Sequence, residues 1–241
     1  MVKNSITYIA EIGLNHNGSI ELAKKHVEKA KESGADIAKF QTYFTDTRAK
    51  PNSPIRDILK QCELSIDDFH KLKEFCENIN IEFASTPFCE DSAEILNKLG
   101  ITTIKVASFH LYNSNLIKKI IRFSNCKKII ISTGVSSSSQ ILHINNLFDS
   151  MHGNKPSLAF LHCVSEYPIS SLSNCNLVNI PFIKSITKKE VGYSDHSIGV
   201  EAPTVAVALG SQIIEKHFTI DNELPGADHA MSATPDTFKN M

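Results

Sequence analysis

The sequence predicts a (β/α)8 barrel, on three observations. Eight short runs rich in apolar and β-branched residues recur along the chain, and their starts lie about 29 residues apart, the length of one βα unit. Most runs are continuously apolar, as strands covered on both faces require. Amphipathic segments with helix-capping residues fill the gaps, and right-handed crossovers wind such an alternation into a closed sheet.

The first run spans Thr7 to Ile12. Ser19 then caps a helix with Ala23, Val27 and Ala30 on one face, and Gly34 closes it. The second run, Ile37 to Thr42, precedes Ser65 and Asp68, which are spaced as a capping box for the stripe Phe69, Leu72, Phe75, Cys76 and Ile79. Further runs follow at Ile81 to Ser85, Thr103 to Ala107, Lys128 to Ser132, Leu158 to Cys163 and Glu190 to Tyr193. The segment Ala202 to Leu209, with Pro203 in its first turn and Gly210 after it, reads as the seventh helix, and Ile213 to Phe218 is the eighth strand. Thr234-Pro235-Asp236 has the cap, proline and acidic first turn of an eighth helix, which Met241 ends after about two turns. The expectation is one domain over residues 1–241 with its last helix truncated. The competing doubly wound sheet lacks its dinucleotide fingerprint, because Gly13 is followed by Leu-Asn-His-Asn-Gly18.

Composition narrows the function. With 25 Lys and Arg against 26 Asp and Glu, the formal charge is −1, so no cationic surplus exists to hold nucleic acid. Apolar runs such as Ile129-Ile130-Ile131 are far too short to span a membrane, and Glu11 interrupts Tyr8-Ile9-Ala10 too early for a signal peptide. Six cysteines are scattered without a C-x-x-C pair, the pattern of reduced thiols, and the expected location is cytoplasmic.

In a barrel of this kind chemistry belongs at the C-terminal strand ends, and polar residues collect there. Lys39 and Gln41 share a strand face, as do Glu215 and His217, because the side-chain period is two. Lys105 and Ser108 meet only if Ser108 already lies in the loop. Lysines with Ser and Thr hydroxyls suit a small anion carrying phosphate and carboxylate. His196 and His217, on adjacent strands with carboxylates nearby, suit one divalent metal with open positions. His26, His70, His143 and His152 fall in helical or loop segments and receive no role, and His16 either orients the first loop or touches substrate.

At these residues the chain resembles the sialic acid synthase family, the N-acetylneuraminate synthases and their legionaminic and pseudaminic acid relatives. The resemblance runs from about Tyr8 to Pro235. It rests on Ala10-Glu-Ile-Gly-Leu-Asn-His-Asn-Gly18, Lys39-Phe-Gln-Thr42, Ser85-Thr-Pro-Phe88, Ser132-Thr-Gly134, Gly192-Tyr-Ser-Asp-His196, Glu215-Lys-His-Phe-Thr219 and Pro225-Gly-Ala-Asp-His229. It implies condensation of phosphoenolpyruvate with an N-acetylmannosamine-type sugar, giving a nine-carbon 2-keto-3-deoxy acid and phosphate. It implies a manganese or magnesium ion on His196 and His217. Phosphoenolpyruvate would be held by Lys39, Thr86, Lys105, Ser108, Ser132 and Ser194, while Gln41, Tyr167 and Asp228 face the sugar and Glu11 and Glu215 flank the reacting carbons.

The chain departs from the family pattern in three places. Ser165, a substrate-side position, stands where some members carry Asn, and His110 stands where the family is often acidic. The family continues into a small antifreeze-like domain that closes the sugar site across a dimer, and this sequence does not reach it. That leaves two partner arrangements, a homodimer or a second chain supplying the domain, and a competing reading as a non-catalytic remnant. A Schiff-base aldolase using Lys105 or Lys39 is a further competitor. A metallohydrolase is disfavoured by the absence of a His-x-His pair on the first strand.

Overall fold

A computed structural model describes residues 6–241, so the first five residues of the expected domain lie outside it. Eight parallel strands close in the order β1 to β8: β1 Thr7–Gly13, β2 Ile37–Thr42, β3 Glu82–Pro87, β4 Thr103–Val106, β5 Lys128–Ser132, β6 Ser157–Cys163, β7 Glu190–Asp195 and β8 Ile213–His217. The ring is shut by β1 against β8, with Ile9 opposite Glu215 and Glu11 opposite His217. The barrel is therefore the fold, and β2 and β5 have the bounds read from the sequence.

Helices α1 Ile20–Glu32, α4 Ile66–Asn78, α5 Glu90–Lys98, α6 Ser114–Ile121, α7 Ser138–Ser150, α8 Asn179–Thr187 and α9 Glu201–Ala208 surround the sheet. Ser19 accepts from the Leu22 amide at the start of α1, and Ser65 with Asp68 forms the full capping box of α4. Helix α10, Pro235–Lys239, begins at the Thr234 cap and buries Phe238 edge-on against Phe218 and Tyr8. Two short helices, α2 Thr45–Arg48 and α3 Arg56–Gln61, lie between β2 and α4, where the sequence reading names no element. That stretch has no apolar period long enough to announce a helix.

Period two sorts the strand side chains into two cores. Outward residues such as Ala10, Phe40, Ile104 and Ile131 pack beneath the helices. Inward residues Ile9, Ile37, Ala84, Ile130, Ala159, Leu161 and Ile213 form a separate apolar plug inside the barrel. Gly192 gives this plug room, since a Cβ there would meet the Ile213 carbonyl oxygen at 2.4 Å and Leu161 Cδ2 at 2.5 Å. All six cysteines are free thiols. Among the described residues no helix is long and apolar enough to cross a membrane.

Candidate active site

Above the apolar plug the inward positions turn polar. One step further along the same strands stand Glu11, Lys39, Thr86, Lys105, Ser132, Ser194 and Glu215, each almost wholly buried. They line a cavity of about 300 Å³ at the C-terminal mouth, together with Gln41, Ser108, Ser165, Tyr167, His196, His217 and Asp228. Every residue singled out from the sequence for binding, catalysis or metal ligation thus lines one cavity.

The floor is a charge lattice. Lys39 Nζ lies 2.5 Å from Glu11 Oε2 and 3.5 Å from Glu215 Oε2, and donates to Thr86 Oγ1 at 3.2 Å. Lys105 Nζ lies 3.4 Å from Glu215 Oε1, which also accepts from Ser194 Oγ at 2.8 Å. Burial alone would raise the Glu215 carboxyl, but Lys105 and Lys39 with the Ser194 hydroxyl hold it well below the usual range. Burial would lower the Lys39 ammonium, and the Glu11 and Glu215 carboxylates outweigh it, so Lys39 stays charged. Lys39 has two carboxylate neighbours and a hydrogen bond to Thr86, whereas Lys105 has Glu215 as its sole charged partner among the described residues. Beside it the Ser132 hydroxyl is buried with no hydrogen-bond partner.

Ser108 does lie beyond its strand, in a single 3-10 turn over Ser108–His110. Its Oγ accepts from the Gly134 amide at 3.0 Å and lies 3.1 Å from Cys163 Sγ. Gly134 has no space for a side chain, because a Cβ would stand 2.7 Å from Cys163 Sγ and 2.8 Å from Ser165 Oγ. His110 is absent from the cavity lining, with its ring 4.5 Å from that of Phe109 and 5.9 Å from that of Phe88, both of which line the mouth.

The two site histidines sit with ring centroids 5.9 Å apart. His196 Nδ1 lies 2.6 Å from the Val164 carbonyl oxygen, which only accepts, so the proton is on Nδ1 and Nε2 keeps its lone pair. Burial, aided by the neighbouring His217, lowers the His196 pKa to about 4 and keeps the ring neutral. His217 Nδ1 is buried without a hydrogen-bond partner, 3.6 Å from Asp228 Oδ2. The donor set fits a hard or borderline divalent ion that takes two imidazoles and completes its shell with water or substrate oxygens. No group of three or more His, Cys, Asp and Glu is arranged as a metal cluster among the described residues.

The other members of these motifs are structural. Asp195 and Lys216 point outward from β7 and β8 and form a buried ion pair, with Lys216 also donating to the Ser197 carbonyl at 2.6 Å. Asp195 Oδ1 accepts from the Ser197 amide and hydroxyl, which ties down the turn after His196. His16 accepts from the Gly18 amide, packs near Phe40 and is absent from the cavity lining. Asp228 comes from the long segment after β8. Asn17 Nδ2 fastens that segment by donating to the Pro225 carbonyl at 2.7 Å, and Ser232 Oγ donates to the Asp228 carbonyl at 2.6 Å.

Residues 26–241 match the NeuB family. The chain belongs to the NeuB family. It is 39% identical to the N,N'-diacetyllegionaminic acid synthase of Legionella pneumophila over 97% of this chain and 69% of that one. It is 34% identical to the pseudaminic acid synthase of Campylobacter jejuni over 97% of this chain and 71% of that one. The crystal structure of a sialic acid synthetase from Leptospira borgpetersenii, solved with citrate, superposes with a TM-score of 0.91 at 35% identity, covering 98% of this chain and 81% of that chain. NeuB membership makes the barrel mouth the place to look for chemistry, and the polar lining is concentrated there.

Sequence reasoning gave no site role to Arg48, Phe88, Phe109 and Cys163, which also line the cavity. Arg48 is one of three arginines in the chain and follows the second strand closely, a signal that was available.

Proposed function

We propose that the chain condenses phosphoenolpyruvate with an N-acylated mannosamine-type sugar in its open-chain form, yielding a nine-carbon 2-keto-3-deoxy acid and inorganic phosphate. The observation that carries this reading is the pairing of Lys105 and the partnerless Ser132 hydroxyl with two carboxylates and two histidines in one cavity of a NeuB barrel. A small dianion needs the first pair, and carbon–carbon bond formation at an aldehyde needs the rest.

Lys105 and Lys39 would neutralise phosphate and carboxylate, with Thr86, Ser108, Ser132 and Ser194 donating to their oxygens, so that C3 is held against the aldehyde carbon. Ser165 supplies a shorter hydrogen-bonding side chain on the same wall. Gln41, Tyr167 and Asp228 would hold the sugar on the opposite side. A divalent ion, manganese or magnesium, on His196 and His217 would supply Lewis-acid polarisation of the aldehyde oxygen. As C3 of phosphoenolpyruvate bonds to the aldehyde carbon, that oxygen takes a proton from solvent water at the cavity mouth and positive charge develops at C2. Glu215, ionised by its lysine neighbours, is placed to offset that charge. Water adds to C2 and gives one proton to Glu11, and the tetrahedral centre collapses to the ketone as the C–O bond to phosphate breaks and the C2 hydroxyl proton leaves with the phosphate. A Schiff base at Lys39 would need a neutral amine, and its two carboxylate neighbours oppose that.

The test is phosphate release from phosphoenolpyruvate with N-acetylmannosamine or its 2,4-diacetamido analogue, with manganese and with a chelator. Sugar-dependent release that the chelator stops supports the reading. Borohydride-trapped pyruvate on a lysine, with no sugar-dependent phosphate, would replace it with the aldolase.

A further inference from the structure

Arg48 is held in the cavity wall by contacts that leave much of its hydrogen-bonding capacity unused. Its guanidinium lies 3.7 Å from the centroid of Phe88 and 4.5 Å from that of Tyr43, a cation–π clamp on two rings. Its Nη1 donates to Gln41 Oε1 at 2.9 Å. Gln41 Oε1 is its one hydrogen-bond acceptor among the described residues, and no carboxylate there lies within 4.0 Å of it. None of its remaining nitrogens is sealed from solvent without a partner, and the residue lines the cavity.

A partly buried guanidinium without an anion is costly unless a ligand completes it. The bond to Gln41 also fixes that side chain's direction. With Oε1 occupied by Arg48, the amide Nε2 donates to Glu11 Oε1 at 3.1 Å. Arg48 therefore stands on the Gln41 side of the cavity, the side assigned above to the sugar.

We infer that Arg48 is a specificity-determining residue for the acceptor sugar, presenting its free N–H edge to an oxygen-bearing substituent of that sugar. The inference rests on the condensation reading above. The substituent's oxygen has two sources, the carbonyl of an N-acyl group or a phosphate ester on the sugar's terminal carbon. Both present acceptor lone pairs to a planar fork, and charge distinguishes them, since lysine can still meet a phosphate as a point charge.

The experiment compares wild-type protein with R48M and R48K, using N-acetylmannosamine, its 2,4-diacetamido analogue and N-acetylmannosamine 6-phosphate. The expected result is a sugar KM raised about tenfold or more in R48M, with the phosphoenolpyruvate KM held within about twofold. If R48K restores only the sugar phosphate, the substituent is a phosphate. If R48K fails as R48M does on all three sugars, it is an acyl carbonyl. A sugar KM that stays put, or one that rises together with that of phosphoenolpyruvate, overturns the assignment. Saturation-transfer NMR separates this failure from that of the condensation reading. Wild-type protein that binds phosphoenolpyruvate but no sugar overturns the role of Arg48, and protein that binds neither overturns both.

Discussion

Glu215 is the residue on which the proposed chemistry turns, because its charge is fixed by its surroundings. Buried carboxyls ordinarily hold their protons, yet Lys105 and Lys39 on one side and Ser194 on the other keep this one ionised. An always-ionised carboxylate is a weak proton acceptor and a strong electrostatic partner for a cationic carbon. E215Q should therefore lower kcat by about 100-fold or more while phosphoenolpyruvate still binds, measured by steady-state phosphate release and by direct titration. A change confined to KM would make Glu215 a positioning residue. The metal assignment is tested at the same scale. H217A should lose chelator-sensitive turnover, and added manganese at about 10 mM should not restore it if that imidazole is one of only two protein ligands.

At the scale of single elements, strand period and loop fastening set the site. Inward positions were legible because the period of two leaves Lys39 with Gln41 and Glu215 with His217 no choice but a shared face. The same period explains why Asp195 and Lys216, in the same motifs, are structural: they point away from the barrel axis. Arg48 was not legible in this way. It sits on α2, within a stretch that lacks periodicity, and the ring clamp that aims it depends on Phe88 from beyond β3. The place of His110 was hidden too, because a 3-10 turn sends successive side chains about 120° apart, and Ser108 lines the cavity while His110 does not. The loop bearing Asp228 depends on Asn17, so N17A should raise the sugar KM several-fold with little change for phosphoenolpyruvate, as read by initial rates. Inside β7, G192A forces a Cβ against the Ile213 backbone and should destabilise the barrel by about 1–3 kcal/mol, visible as a lower melting temperature.

Across the whole molecule, closure of the sheet accounts for both stability and function. The eight strands bury an apolar plug below and gather polar side chains above, so one alternation pattern makes a core and a reaction chamber. Strand positions were readable because burial on both faces writes a strand as a continuous apolar run. What the alternation does not encode is the identity of the sugar, which depends on the mouth residues from several loops. Closure also leaves histidines neutral in the outer core. Burial lowers His16 and His26 to pKa values of about 4, from an ordinary 6.5. Such a histidine takes up a proton on unfolding, so its contribution is complete above about pH 6.5. It is lost as pH falls towards 4, by at most about 1.4 kcal/mol per pH unit for each ring. Urea titrations at pH 7 and pH 5 should show that H26L loses less stability between the two than the wild type, by roughly 1–2 kcal/mol. The central claim, that this cavity joins phosphoenolpyruvate to an acyl amino sugar with cleavage of the C–O bond, is tested most directly by isotope tracing. Phosphoenolpyruvate carrying oxygen-18 in its bridging C–O–P position, incubated with sugar and manganese, should deliver the label to phosphate and give an unlabelled nine-carbon acid by mass spectrometry. Label retained in the organic product, or phosphate released at the same rate without sugar, would contradict it.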